Sequence, residues 1–144
     1  MRFNTAKFIL AIVWYIGGLF NMGILVYFQS IGHMNNIKQD YWGWFGINIM
    51  PMLTLITTTL IFSDNEKKLT KPVLFIFWIS ISISIIYLSL IGFLLWYSRY
   101  GGIDELGVTP YQFISETNFY LALIQSMYSV LLGYFFFKPK EDPA

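Results

Sequence analysis

The chain has no cysteine and few charged residues. Its 144 residues include none of the thiols that a disulfide framework or a cysteine-ligated metal requires. Lys, Arg, Asp and Glu together make up 12% of the chain and hydrophobic residues 56%, whereas a typical soluble domain is about 25% charged and about 45–50% apolar. A soluble chain of this length could not hide so much apolar surface, because much of its area must face water. The composition therefore predicts an integral membrane protein.

Sequence motifs of enzymes, cofactor sites and nucleic-acid-binding proteins are also missing. The chain contains no P-loop, GxGxxG, HExxH or GxSxG pattern and no basic face of the size that nucleic acid requires. An enzyme acting on lipid would have to draw on one histidine and four acidic residues: His33, Asp40, Asp104, Glu105 and Glu116. No spacing unites these five positions. We therefore expect a non-enzymatic protein with no cofactor, no metal site and no nucleic-acid partner.

Charge is absent from four long segments of the chain. These uncharged runs cover residues 8–32, 41–63, 72–98 and 117–137. Each of them provides the roughly 20 residues that an α-helix needs to cross about 30 Å of hydrocarbon. The runs predict an all-α integral membrane protein, in which residues 1–144 form one domain. We expect an antiparallel bundle of four transmembrane helices, with spans at about 8–28, 42–62, 72–97 and 114–137.

The stretch 79–86 (ISISISII) alternates isoleucine with serine, which is the pattern of a half-buried β-strand. A strand inside the membrane would need a closed barrel to pair its backbone groups, and none of the other three runs alternates in this way. In a helix the backbone pairs internally, and each serine hydroxyl can donate to a carbonyl three or four residues back. The stretch is therefore predicted to be helical.

Basic residues are distributed unequally between the two sides of the predicted membrane protein. Only Lys38 and Arg99 lie on one side. The other side holds seven basic residues: Arg2, Lys7, Lys67, Lys68, Lys71, Lys138 and Lys140. Because Lys and Arg in short loops favour the cytoplasm, both termini are expected there. The absence of an N-x-S/T glycosylation acceptor fits a bacterial source, so we expect a multi-pass protein of the bacterial inner (cytoplasmic) membrane.

The start of the fourth helix and a set of contact residues can also be predicted. Thr109, Pro110 and Gln112 match the N-cap, N1 and N3 positions of a capping box, which predicts a helix that starts near Pro110. Aromatic residues crowd the span ends on the non-cytoplasmic side, and such residues often anchor protein contacts. With the lysines of the cytoplasmic loop, the candidate partner contacts are Tyr41, Trp42, Trp44, Trp96, Tyr97, Tyr100, Lys67, Lys68 and Lys71.

The spans contain uncharged polar residues but no charge at their centres. Ion-coupled carriers usually place acidic or basic residues at mid-membrane, so such a carrier is not favoured. Small and polar residues can pack helices within one subunit, or they can line a pore. The candidate pore or packing residues are Asn21, Thr54, Thr58, Ser80, Ser84, Glu116, Gln125 and Ser129.

Two hypotheses of function remain open. In the first, the protein is a partner-binding membrane subunit, such as a sensor, an anchor or an immunity or defence protein. In outline it resembles the small four-span inner-membrane proteins that bacteria use as immunity proteins against pore-forming toxins or as phage-exclusion proteins, a likeness of architecture alone. In the second, it is a homo-oligomeric channel or membrane-permeabilising effector with a Ser/Thr-lined pore, built from several copies because four helices enclose too little space. Both predict self-association or a protein partner in addition to the lipid bilayer.

Overall fold

Four long α-helices make up nearly all of the described chain. The computed structural model describes residues 2–32, 38–62, 71–100 and 107–137. Each predicted span lies within one helix, and the helix ends coincide with the span ends or lie a few residues beyond them. The helices are α1 (Phe3–Ser30), α2 (Lys38–Phe62), α3 (Lys71–Tyr100) and α4 (Pro110–Phe137).

The exterior of these helices is apolar. All four helices are long and apolar enough to cross a membrane, and only 28% to 39% of the residues in their apolar segments are buried inside the bundle. Every helix exposes large hydrophobic side chains, for example Phe20 (69% exposed), Ile61 (69%), Phe75 (68%) and Val130 (73%). A monomeric soluble protein rarely exposes contiguous apolar surface on this scale. The all-α architecture with four membrane-length helices is thus confirmed.

Within the described residues, each helix packs against two of the other three. α1 packs against α2 and α3, and α4 packs against the same two helices. The order around the bundle is therefore α1–α2–α4–α3. α1 lies diagonally opposite α4, and α2 lies diagonally opposite α3, so the chain crosses a diagonal between its second and third helices.

Two of the packed helix pairs are parallel and two are antiparallel. Trp14 contacts Ser84 and Asn21 contacts Leu88, so residue numbers rise in the same direction along α1 and α3. α2 and α4 are parallel by the same criterion. The α1–α2 and α3–α4 pairs are antiparallel, because numbers rise on one helix as they fall on the other. Successive helices therefore alternate in direction, as predicted.

The alternating Ile/Ser stretch is part of α3, as the backbone argument predicted. Ser80 and Ser84 are fully buried, whereas Ser82 lies on the exposed side of the helix. The Ser84 hydroxyl donates to the Ser80 carbonyl at 2.7 Å, which is the local bond that lets a membrane helix hold a serine. One face of this segment therefore directs hydroxyls into the bundle interior.

The capping box at the start of α4 is formed as predicted. The Gln112 backbone N–H donates to the Thr109 hydroxyl at 3.2 Å, and the Thr109 backbone N–H donates to the Gln112 side-chain oxygen at 3.1 Å. Two backbone donors at the helix N-terminus, which lack partners within the helix, are satisfied in this way. The first helical residue is Pro110.

Glycines allow α1 and α3 to approach each other closely. A Cβ atom on Gly92 would lie 2.8 Å from Asn21 Oδ1, and one on Gly17 would lie 2.5 Å from Leu88 Cδ1. Both distances are shorter than real Cβ contacts. The Asn21 side-chain N–H donates to the Gly17 carbonyl at 2.9 Å and to the Leu88 carbonyl at 3.1 Å. This interface thus combines close backbone packing with an interhelical hydrogen bond, as is common between membrane helices.

Candidate functional site

Polar side chains occupy the bundle interior at four levels along its axis. At each level, a polar side chain of one helix forms a hydrogen bond with a side chain or backbone carbonyl of another helix. From the end of the bundle where α1 begins to the end where it finishes, the levels contain Lys7 with Thr59, Trp14 with Ser84 and Tyr128, Asn48 with Tyr87 and Asn118, and Tyr41 with Ser98.

The Trp14 level joins three helices. The Trp14 indole N–H donates to Ser84 Oγ at 3.0 Å and to the Tyr128 hydroxyl at 3.3 Å, while the Ser84 and Tyr128 oxygens lie 2.5 Å apart. Because the one proton of Ser84 goes to the Ser80 carbonyl, Tyr128 is the donor to Ser84. The Trp14 and Tyr128 rings also stack, with centroids 5.9 Å apart. These contacts link α1 to α4 across the diagonal.

The Asn48 level joins α2 to α3, which lie across the other diagonal of the bundle. The Asn48 side-chain N–H donates to the Trp44 carbonyl at 2.8 Å and to Asn118 Oδ1 at 3.0 Å. The Tyr87 hydroxyl on α3 donates to the Asn48 backbone carbonyl on α2 at 3.1 Å. Neither asparagine was among the predicted residues. The signal was present in the sequence, because both interrupt apolar segments in which a polar amide requires a partner.

Longer contacts define the two end levels. The Tyr41 hydroxyl lies 3.5 Å from Ser98 Oγ. At the other end, the Lys7 ammonium lies 3.5 Å from the Thr59 carbonyl and 5.2 Å from the centre of the Phe3 ring. Lys7 was counted in the sequence only as an orienting charge, but its side chain is 2% exposed and lies inside the bundle end.

Three buried polar atoms have no hydrogen-bond partner among the described residues. They are Asn21 Oδ1, Trp44 Nε1 and Ser80 Oγ. A buried polar group without a partner costs about 1–3 kcal/mol. Asn21 and Ser80 each make a hydrogen bond through another atom, the Asn21 side-chain nitrogen and the Ser80 carbonyl, so the interior is closely but incompletely paired.

The structure separates the predicted pore residues into two groups. Ser80 and Ser84 lie in the bundle interior, whereas Thr54 and Thr58 lie on the exposed side of α2. α2 and α3 occupy a diagonal, and the side of α2 that carries Thr54 and Thr58 faces away from the bundle interior. One copy of the chain therefore cannot line a single conduit with both pairs.

Of the remaining predicted polar residues, Asn21 is buried and the other three lie at intermediate or exposed positions. Gln125 and Ser129 are half-buried on α4, and the Ser129 hydroxyl donates to the Gln125 carbonyl at 2.8 Å. Ser129 Oγ also lies 4.0 Å from the Met52 sulfur of α2. Glu116 is exposed near the start of α4. Asn21 belongs to the α1–α3 interface.

The predicted partner contacts also divide between interior and surface. Tyr41 and Trp44 are buried, and Trp42 is half-buried, with its indole N–H donating to the Gln29 side chain at 3.2 Å. Lys71 is exposed at the start of α3. Lys67 and Lys68 lie outside the described residues, as do His33, Asp104 and Glu105. Trp96 and Tyr100 are about half exposed, and Tyr97 is half-buried beside them.

Exposed and buried aromatic residues form a group at one end of the bundle. The Trp96 and Tyr100 rings lie 4.5 Å apart, Tyr100 contacts Phe28 at 6.2 Å, and Tyr97 contacts Phe113 at 5.5 Å. The Arg99 guanidinium lies 5.4 Å from the Tyr100 ring centre. We call this group the aromatic end cluster; it consists of Phe28, Trp96, Tyr97, Tyr100 and Phe113, contributed by α1, α3 and α4. Trp96 and Tyr100 of α3 are its exposed members, and Phe28 of α1 is buried beneath Tyr100.

The class of protein that these features define is a four-helix bundle with membrane-length helices, an apolar exterior and a mainly apolar interior that contains hydrogen-bonded polar groups. Comparisons with protein-family models, curated proteins and solved structures found no match to this chain. Among the described residues, no three His, Cys, Asp or Glu side chains are grouped closely enough to hold a metal ion.

Proposed function

We propose that this chain is a small, non-enzymatic, multi-pass protein of the bacterial inner membrane that acts as a partner-binding subunit of the sensor, anchor or immunity type. Its apolar exterior supports the membrane placement. The excess of Lys and Arg on one side supports an orientation with both termini in the cytoplasm. A membrane-impermeant maleimide that labels Ser30→Cys but not Lys71→Cys in intact cells would support this orientation, and the reverse labelling would contradict it. The chain has no native cysteine to interfere.

The aromatic end cluster is the observation that carries the proposal. Trp96 is 52% exposed and Tyr100 is 49% exposed, and Arg99 lies beside them on the surface. Trp, Tyr and Arg are the residues most enriched at the energetic centres of protein interfaces. Its exposed rings, Trp96 and Tyr100, pack against each other, and Tyr100 also contacts the buried Phe28 of α1. They therefore form a preformed surface that loses little conformational entropy on binding.

Site-specific photo-crosslinking tests this assignment. A benzophenone amino acid at Tyr100 is expected to yield a discrete adduct with a second protein in cells of the native host. The matched control is Phe119, which is 67% exposed on α4 and lies outside the aromatic end cluster. Adducts only with lipid or with the chain itself, or an identical adduct pattern at both positions, would overturn the proposal.

A homo-oligomeric channel is the second candidate function, and a group of exposed hydroxyls on the otherwise apolar exterior of α2 favours it. Thr54 and Thr58 lie one turn apart on the exposed side. Beside them, Thr57 and Tyr15 of α1 share a hydrogen bond of 2.6 Å that is exposed. Hydroxyl groups on an otherwise apolar exterior are stabilised when a neighbouring helix covers them. Copies of the chain that meet along this face would place these hydroxyls around a shared axis.

A further inference from the structure

An open groove runs along the exterior of the bundle between α1 and α3. Its volume is about 690 Å³, and its walls are residues 12–24 of α1 and 85–96 of α3. The lining is almost entirely apolar, and Asn21 and Ser89 are its polar members. At 1.5 Å per helical residue, the groove is about 18 Å long.

The small residues at the base of the groove do not offer a site for a second helix. The glycines at the base, Gly17 and Gly92, are already in close contact with Leu88 and Asn21 of the facing helix. They are therefore not free to receive another helix.

The length of the groove and its position match one hydrocarbon chain of a lipid. One leaflet contributes about half of the roughly 30 Å hydrocarbon thickness, which is close to the length of the groove. One end of the groove is formed by Trp96, which is half exposed and belongs to the aromatic end cluster. Trp and Tyr side chains favour the headgroup level, so this end corresponds to the membrane surface.

A positively charged residue, Arg99, lies just beyond this end of the groove on α3. Arg99 lies seven residues after Gly92 and three after Trp96, so it continues the same face of α3. It is exposed, and its guanidinium lies beside Tyr100. The planar guanidinium matches the geometry of a phosphate and binds it through paired hydrogen bonds. An apolar groove that ends at an arginine is complementary to an acyl chain that ends at a phosphate.

We infer that the α1–α3 groove binds one phospholipid, with an acyl chain between residues 12–24 and 85–96 and the phosphate at Arg99. The inference rests on the proposed membrane placement but not on the proposed protein partner. Crosslinking at Tyr100 reports on the partner and lipid binding reports on the groove, so one can fail without the other.

Native mass spectrometry of the delipidated, full-length protein with added phosphatidylglycerol tests the site. The exposed Ser89 lines the groove, so Ser89→Trp is expected to fill it and to weaken binding by about tenfold or more. Its control is Ser126→Trp, at an exposed position on α4 outside the groove lining, which is expected to leave affinity unchanged.

The phosphate contact is tested by a second variant. Arg99→Gln is expected to weaken lipid binding about fivefold, the effect of about 1 kcal/mol per basic residue. Arg2→Gln, at the other end of the bundle, is its control.

Two comparisons decide the outcome. Equal lipid affinity in Ser89→Trp and Ser126→Trp would overturn the groove site, as would equal affinity in Arg99→Gln and Arg2→Gln. Loss of a protein dimer in Ser89→Trp, without any lipid adduct in the wild type, would identify a second copy as the occupant and overturn the lipid proposal. Arg99 is exposed near the end of a helix, so its variant gives an answer even if Ser89→Trp does not fold.

Discussion

Individual polar side chains in the interior determine which helices face each other across the bundle. Trp14, Ser84 and Tyr128 bring donors and acceptors from three helices to one point on the axis. The apolar residues around them can pack in several registers, whereas a hydrogen bond in a low-dielectric interior is satisfied in only one. We therefore interpret the Trp14 level as a specificity element that fixes the α1–α4 diagonal.

The Tyr128→Phe variant tests this role at the level of a single hydroxyl. It keeps the ring stack with Trp14 but removes the donor to Ser84, so it is expected to destabilise the bundle by about 1 kcal/mol, within the range for hydrogen bonds between membrane helices. The measurement is unfolding by sodium dodecyl sulfate in mixed micelles, followed by circular dichroism. Tyr120→Phe is the matched control, because Tyr120 is 66% exposed on the same helix. Equal losses in the two variants would contradict the assignment.

Among the helices, the α1–α3 pair depends most directly on small residues. Gly92 lies against Asn21, whose side chain donates to two carbonyls, one on each helix. Any side chain at position 92 must displace the Asn21 amide and disturb both hydrogen bonds. The pair is therefore held by close backbone approach and by one asparagine together.

Gly92→Ala is expected to destabilise the protein by about 1–3 kcal/mol, the usual cost of an added methyl group in a tightly packed site. Gly23→Ala is its control, because a Cβ atom at position 23 would have no described atom within 4 Å. Alanine is a better helix former than glycine by about 1 kcal/mol, so the control is expected to be neutral or more stable. Unfolding in mixed micelles measures both variants.

The double variant Asn21→Ala with Gly92→Ala tests whether the destabilisation caused by Gly92→Ala arises from displacement of the Asn21 side chain. If the methyl group acts through Asn21 Oδ1, the second substitution is expected to add less than its own single cost, and the two effects will be coupled. Strict additivity would locate the strain elsewhere in the α1–α3 interface.

The helices were predictable from sequence, but their inward faces were not. The length of each apolar run fixes the spans, and a local side-chain pattern fixes the start of α4 at Pro110. The pairs Thr54/Thr58 and Ser80/Ser84 are equivalent in sequence, since each places two hydroxyls four residues apart in an apolar helix. Only tertiary packing sends the serines inward and leaves the threonines exposed, because a helix that is apolar on all sides does not mark its buried face.

At the scale of the whole molecule, large side chains fill the interior of the described four-helix bundle. Trp14, Tyr87 and Tyr128 fill the axis with large rings, and hydrogen bonds join both diagonals. The order α1–α2–α4–α3 follows from these side-chain pairings rather than from chain connectivity, so it could not be derived from the lengths of the connecting segments. Large side chains therefore occupy the axis of the part of the bundle that the structure describes, and a channel would be expected to conduct between copies.

Ion flux from liposomes distinguishes the two functions, and the structure assigns different outcomes to two similar substitutions. A single closed bundle predicts no potassium efflux from liposomes that contain the wild-type protein. Ser84→Leu is expected to disrupt folding, because it overpacks the core and leaves the Trp14 N–H with one acceptor fewer, each effect costing about 1–3 kcal/mol. Thr58→Leu lies on the exterior and is expected to leave the fold intact. Efflux from the wild type that falls in Thr58→Leu at unchanged helicity, together with a smaller oligomeric mass in detergent, would instead establish a pore between copies along the exposed face of α2.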